Sequence, residues 1–175
     1  MPQKYIHYGS NKFDIGRFIN VYNIPFMNKP GGGLWASRID SLYGFKDFCK
    51  SNDMNGSPYY DFNKSFVFSL KDDAKIFNIS SYEDYLNAPK CSYMHNNLGN
   101  IRFSDEIIDY EKMSSSYDAI ELNYFSKLLS NEIIVFYNDI NEYFKKSLKH
   151  KLNNWDCDCI LIMNPDVIID RKSVV

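Results

Sequence analysis

The sequence has no apolar run approaching the length of a bilayer span. Its start carries no charged-then-apolar leader either, because the chain goes straight into Tyr5-Ile6-His7. Those absences predict a cytoplasmic protein with no membrane partner. Metal-binding spacing is also missing: four cysteines (Cys49, Cys91, Cys157, Cys159) and 3 histidines include no Cys-x-x-Cys and no paired His. A zinc site is therefore not expected, and reduced thiols are. Neither sign of charge is in excess. A formal net charge of -2 argues against a broad electrostatic footprint for nucleic acid, although it leaves room for a small basic patch. No internal repeat and no linker-like stretch interrupts the chain.

Aromatic side chains are abundant, with 14 Tyr and 13 Phe among 175 residues, as expected of a packed globular protein. The length suits one domain, 1–175, with a full hydrophobic core. Lys4 to Ser10 alternates as a first strand. Ile15, Phe18, Ile19 and Tyr22 recur at helical spacing, which predicts a helix over 15–22. Asp40 is placed to cap a helix through Leu42, Phe45, Phe48 and Cys49, and 52–63 reads as a loop. Ser65 to Leu70 is a clear strand, and Ala74 to Ile79 is expected as its neighbour. Ser80 or Ser81 opens a short helix through Leu86. The Asn-, Ser- and Gly-rich stretch from Lys90 to Phe103 reads as a mobile loop, followed by a helix from Ser104 to about Met113. Asp118 to Leu122 is a short strand. Leu129, Ile133, Phe136, Tyr137, Ile140, Phe144 and Leu148 define an amphipathic helix, although Ile133 to Tyr137 also fits a strand. Cys157 to Met163, closed by Asn164-Pro165, is the strongest strand in the sequence. Strands and helices without a regular βαβ rhythm predict an α+β fold.

The stretch from Lys29 to Ser37, Lys-Pro-Gly-Gly-Gly-Leu-Trp-Ala-Ser, organises the rest. Its glycines permit a sharp turn or the close approach of a ligand. Trp35 and Ser37 then share one strand face, with Leu34 and Ala36 on the other. Two further pieces carry chemistry: Ile6-His7-Tyr8-Gly9-Ser10 at the end of the first strand, and Trp155-Asp156-Cys157-Asp158-Cys159-Ile160 at the head of the last.

These three pieces, in this order and over most of the chain, resemble the ADP-ribosyltransferase superfamily, in its diphtheria-toxin and poly(ADP-ribose) polymerase branch. His7-Tyr8-Gly9-Ser10 is similar to that family's His-Gly-Ser motif, Gly33 to Ser37 to its Gly-hydrophobic-Tyr-aromatic-Ala strand, and Asp158 to its late-strand acid. The chain departs from the pattern in three ways. Tyr8 intrudes between His7 and Gly9, Trp35 replaces a Tyr, and the acid is Asp where Glu is usual. The resemblance implies a split β-sheet core with peripheral helices and NAD as substrate. It also implies a macromolecular acceptor, protein or nucleic acid, and a setting such as an intracellular toxin, a phage host-modifier or a defence factor. Gly9 would then bond the nicotinamide amide, Trp35 would stack on the ring, and His7 or Tyr8 with Ser10 would hold a ribose hydroxyl. Gly33, Ser37 and Arg38 complete the implied cofactor-binding set, with Arg17 as a further pyrophosphate candidate. Asp158 would stabilise the oxocarbenium-like cation formed as the nicotinamide–ribose bond breaks.

Plainer roles compete for the same residues. His7 also fits a satisfied structural histidine, and Asp156 and Asp158, which share a face of the last strand, fit solvated residues at its entrance. Glu121 and Asp156 rival Asp158 as the catalytic acid, and Glu121 also fits a ladder-edge carboxylate facing water. Cys157 and Cys159 fit the packed face of the last strand. Two other functions remain open on these residues: NAD hydrolysis or RNA 2′-phosphotransferase chemistry, and a catalytically silent binding or inhibitor module on the same fold.

Overall fold

The structure, a computed structural model, describes residues 2–25, 27–52, 54, 61–97, 101–123, 152 and 155–174. Among the described residues, nine strands and three α-helices run in the order β1 (Lys4–Tyr8), β2 (Leu34–Arg38), α1 (Phe45–Ser51), β3 (Ser65–Leu70), β4 (Ile76–Ile79), α2 (Tyr82–Asn87), β5 (Lys90–Asn97), β6 (Ile101–Ile108), α3 (Tyr110–Ser114), β7 (Ala119–Leu122), β8 (Cys159–Ile162) and β9 (Ile168–Val174). The fold is α+β. Seven strands form one mixed sheet in the order β4-β7-β8-β2-β1-β3-β9, and β5 and β6 form a separate antiparallel ribbon. Within the sheet only β4 and β7 pair in parallel. No helix among the described residues is long and apolar enough to cross a membrane.

Every residue of β7 and β8 is buried, which explains why Cys-Ile-Leu-Ile reads as a continuous apolar run rather than an alternating one. One face of the sheet packs Trp35, Ile120, Leu122, Cys159 and Leu161 into a core with Tyr85, Tyr110 and Trp155. The opposite face carries Tyr5, Ala36, Phe66, Phe68, Ala119, Ile160 and Ile162. One carboxylate and one side-chain amide stitch the sheet's far end. Asp118 accepts from the Lys75 amide at 2.8 Å and from Asn164 Nδ2 at 2.7 Å, while Asn164 also caps the turn that leads into β9.

Five departures from the sequence expectations have physical causes. Residues 15–22 form only one 3-10 turn, Ile15–Arg17, because the following backbone pairs instead with the glycine stretch: Gly33 N–H donates to the Ile19 carbonyl at 2.8 Å, and Tyr22 and Gly31 exchange two bonds of 3.1 Å. The helix expected from Asp40 begins at Phe45, where Gly44 is the cap and Asp47 accepts from the Gly44 N–H at 3.2 Å. The expected loop over 90–103 and helix from Ser104 are the two strands of the β5–β6 ribbon, and helix starts only at Tyr110, capped by Asp109. β4 is not the neighbour of β3 but lies at the other end of the sheet, parallel to β7 after a crossover that includes α2 and α3. The place beside β3 belongs to β9, which alternation did not reveal; its pairing carries a bulge at Val67/Ser69, with Asp170 in the left-handed region at φ 51°. The amphipathic segment from Leu129 to Leu148 and most of the 52–63 loop lie outside the described residues.

Two of the three consecutive glycines are required by the chain's own packing. A Cβ on Gly31 would meet only the hydroxyl end of the exposed Tyr22 side chain, whereas one on Gly32, at φ 73°, would lie 2.3 Å from the Asn20 carbonyl oxygen. Gly33 has φ 67°, and a Cβ there would meet Leu161 Cδ1 at 2.4 Å and the Ile162 carbonyl oxygen at 2.9 Å. Gly33→Ala is therefore expected to destabilise the protein by about 2–4 kcal/mol, combining left-handed strain with overpacking. Urea unfolding followed by circular dichroism would read this as a lower midpoint at unchanged slope.

Candidate nucleotide cavity

The sheet parts between β1 and β2. Only Tyr5↔Arg38 and Ile6↔Ser37 pair across that seam, whereas β1 stays paired to β3 as far as Tyr8↔Ser65. Beyond Ile6 a side chain takes over from the ladder: the Nδ1–H of His7 donates to the Trp35 carbonyl at 2.7 Å. A cavity of about 350 Å³ opens beside this seam, lined by Tyr8, Lys29, Trp35, Phe45, Trp155 and Asp156 among others. Phe45 and Phe48 bring α1 against its side, and Ser37 fixes that helix by accepting from the Phe45 N–H at 2.9 Å while its hydroxyl donates to the Asp158 carbonyl at 3.1 Å.

Trp35 and Trp155 meet edge to face, 4.8 Å between centroids at 71°. Trp155 is held from behind. Its indole N–H donates to the Asn28 carbonyl at 2.5 Å, which also accepts from the buried Tyr110 hydroxyl at 2.6 Å, and Asn28 Oδ1 accepts from the Ile108 N–H at 3.0 Å. The next residue, Lys29, places its ammonium 5.1 Å from the centre of the Trp35 ring.

Strand register distributes the candidate residues between the two faces. Because Ile6 lies opposite Ser37, Tyr8 falls on the Trp35 face and His7 on the other, although His7 still lines the cavity where the seam opens. The His7 ring packs 5.1 Å from Phe66, and burial pulls its pKa below the ordinary histidine value, against a smaller upward effect of the bond to Trp35. The imidazole is thus neutral at pH 7, with Nε2 bare. Burial, and then the nearby Asp47 charge, push the Tyr8 hydroxyl upward, so it remains a protonated donor. Gly9 turns the chain at φ 100°, and its N–H donates to the Lys64 carbonyl at 2.7 Å; Ser10 Oγ bonds the Lys12 carbonyl at 2.7 Å.

The acids separate completely. β8 begins at Cys159, so strand alternation does not extend back to 156: exposed Asp156 lines the cavity, and buried Asp158 does not. Glu121 is 2% exposed on the opposite face, not a water-facing edge carboxylate, and forms a bidentate pair with Arg38, Nε to Oε1 at 2.6 Å and Nη2 to Oε2 at 2.5 Å. That bond raises the Arg38 pKa further, and burial together with the Glu121 charge raises that of Tyr5 beside them. Arg38 is thereby committed to Glu121, and exposed Arg17 pairs with Asp14 at 3.6 Å. Cys157 and Cys159 line the cavity, and all four cysteines are free thiols. No cluster of His, Cys, Asp or Glu among the described residues is suited to a metal ion. Lys29, Asn28, Phe45 and Phe48 were not assigned to a site from sequence; only the position of Lys29 at the head of the Lys-Pro-Gly-Gly-Gly stretch hinted at one.

Two measurements follow from this geometry. Arg38→Met leaves a buried carboxylate unpaired and should cost about 3 kcal/mol, most of it recovered in the Arg38→Met/Glu121→Leu double variant by denaturant unfolding. His7 has a folded pKa below its unfolded value of about 6.5, so its contribution is complete above that pH and is lost as pH falls toward the folded value. The stability difference between wild type and His7→Phe should therefore shift in favour of the variant on acidification from pH 7.5 to 5. No known protein family, curated protein or solved structure matches the chain, and the cavity's own chemistry carries the functional reading.

Proposed function

We propose that the cavity binds the nicotinamide half of NAD and that the protein is an ADP-ribosyltransferase, with Asp156 as the acid beside the reacting ribose. The observation that carries this reading is the joint presence of Trp35, Trp155, Tyr8 and Asp156 around one cavity at the opening of a split sheet. At about 350 Å³ the space lies at the lower end of small-molecule sites, roughly 300–1,000 Å³, and suits one ring with its sugar. The adenosine end would lie outside it.

Each residue has a defined task in this reading. Trp35 offers a flat surface to the pyridinium, and the Tyr8 hydroxyl donates to a ribose oxygen. As the C1′–N bond breaks, its electron pair leaves with nicotinamide, whose ring becomes neutral. Positive charge then spreads over C1′ and the ring oxygen, where the Asp156 carboxylate stabilises it. An acceptor nucleophile forms the new bond to C1′ and gives up its proton; water in that place gives NAD hydrolysis. One charge-assisted hydrogen bond accounts for roughly ten- to a hundredfold in rate, so positioning by the aromatic walls must supply most of the remainder. The acceptor is a protein or a nucleic acid.

A second reading, a silent binding module, has its own support: Asp158 and Glu121 lie off the cavity, and the Gly9 N–H is already bonded to Lys64. Release of free nicotinamide from NAD, with and without cell lysate as a source of acceptor, separates the two. The transferase reading expects release by wild type, a ten- to hundredfold loss in Asp156→Asn, and near-normal rates in folded Glu121→Gln. No release under either condition, with NAD still bound, establishes the silent module.

A further inference from the structure

Lys29 is built into the cavity wall more rigidly than a surface lysine. On one side Asn28 is buried and receives the Ile108, Tyr110 and Trp155 donors. On the other, Gly31 exchanges two backbone bonds with Tyr22, and Pro30 between them is buried. The half-buried side chain that emerges from this fixed backbone carries its ammonium over Trp35, and among the described residues it forms no ion pair. An ammonium held against an aromatic face gives up part of its hydration for a modest cation–π attraction. A phosphate would bind it more strongly through charge-assisted hydrogen bonds.

We infer that Lys29 is the phosphate-binding residue of this cavity. Its ammonium lies over Trp35 and moves onto the ligand's phosphate when a nucleotide ring takes its place on the indole. This inference rests on the nucleotide reading above and adds a specificity to it. The cavity then presents one carboxylate, Asp156, and one cation, Lys29, to a ligand that is itself a zwitterion: a pyridinium ring joined through ribose to a phosphate. A ring with its sugar but no phosphate would have to displace Lys29 and give it no partner in return.

The only two tryptophans in the chain, Trp35 and Trp155, both line the cavity, so selectively excited tryptophan fluorescence reports on it directly. Titration of wild type with nicotinamide mononucleotide and with nicotinamide riboside should show the phosphorylated ligand binding roughly ten- to a hundredfold tighter. That preference should weaken with added salt. Lys29→Met should remove it by lowering mononucleotide affinity to the riboside level, with riboside binding unchanged or improved. Lys29→Arg should retain it, and circular dichroism verifies that both variants fold. Equal binding of the two ligands to wild type, or a preference that survives Lys29→Met, overturns the role of Lys29 while leaving ring stacking in the cavity intact. Failure of both ligands and of NAD to change the fluorescence overturns this inference together with the nucleotide reading.

Discussion

The carbonyl of Asn28 is the fixed point of the cavity. It accepts from both the Trp155 indole and the Tyr110 hydroxyl, while the same residue's side chain accepts from the β6 backbone at Ile108. A buried carbonyl with two donors is fully satisfied, and removing either donor would leave a polar group stranded in the core. Through it, the segment that carries Lys29 and the glycine stretch is fastened to the end of the ribbon, the start of α3 and the entrance to β8. Trp155 is thereby held at a set angle to Trp35, and the angle between these two indoles defines the cavity wall.

The two faces of the sheet have divided their polar chemistry. On the face away from the cavity, Arg38, Glu121 and Tyr5 form a closed, charge-balanced group whose bonds are directed at one another. On the cavity face, Tyr8, Lys29 and Asp156 surround open space. A perturbed titration can mark either situation, and here the geometry distinguishes them. His7 stands at the boundary. It belongs by register to the closed face, yet its bond to the Trp35 carbonyl holds the seam where the cavity opens.

What the sequence made legible was local. Strands β1, β2, β3 and β7 could be read from a few adjacent residues, and the alternation of β2 correctly separated Trp35 and Ser37 from Leu34 and Ala36. Elements whose pattern depends on a distant partner were not legible. The β5–β6 ribbon looked like loop and helix because its Asn- and Ser-rich strands are specified by each other, not by their own propensity. β9 escaped notice because its bulge breaks the two-residue period. The same limit governs the site. Spacing placed Tyr8 and Trp35 on strands but not which of His7 and Tyr8 shared the Trp35 face, since that depends on cross-strand register. The different surroundings of Asp156 and Asp158 follow from where β8 begins, a matter of how far its neighbours extend.

The position of β8 governs how this molecule can assemble. It lies in the middle of the sheet, joining β7 to β2, although β2 precedes it by more than a hundred residues. Without Cys159–Ile162, the β1–β2–β3 and β4–β7 portions share no backbone ladder among the described residues and expose two apolar edges at their junction. Closing so long a loop comes late and slowly in folding, and strand edges left waiting are open to association with other chains. That single four-residue strand makes two pieces into one sheet, and the segment leading into it sets Asp156 and Trp155 beside Trp35, so the integrity of the cavity depends on the strand that closes the longest loop of the sheet.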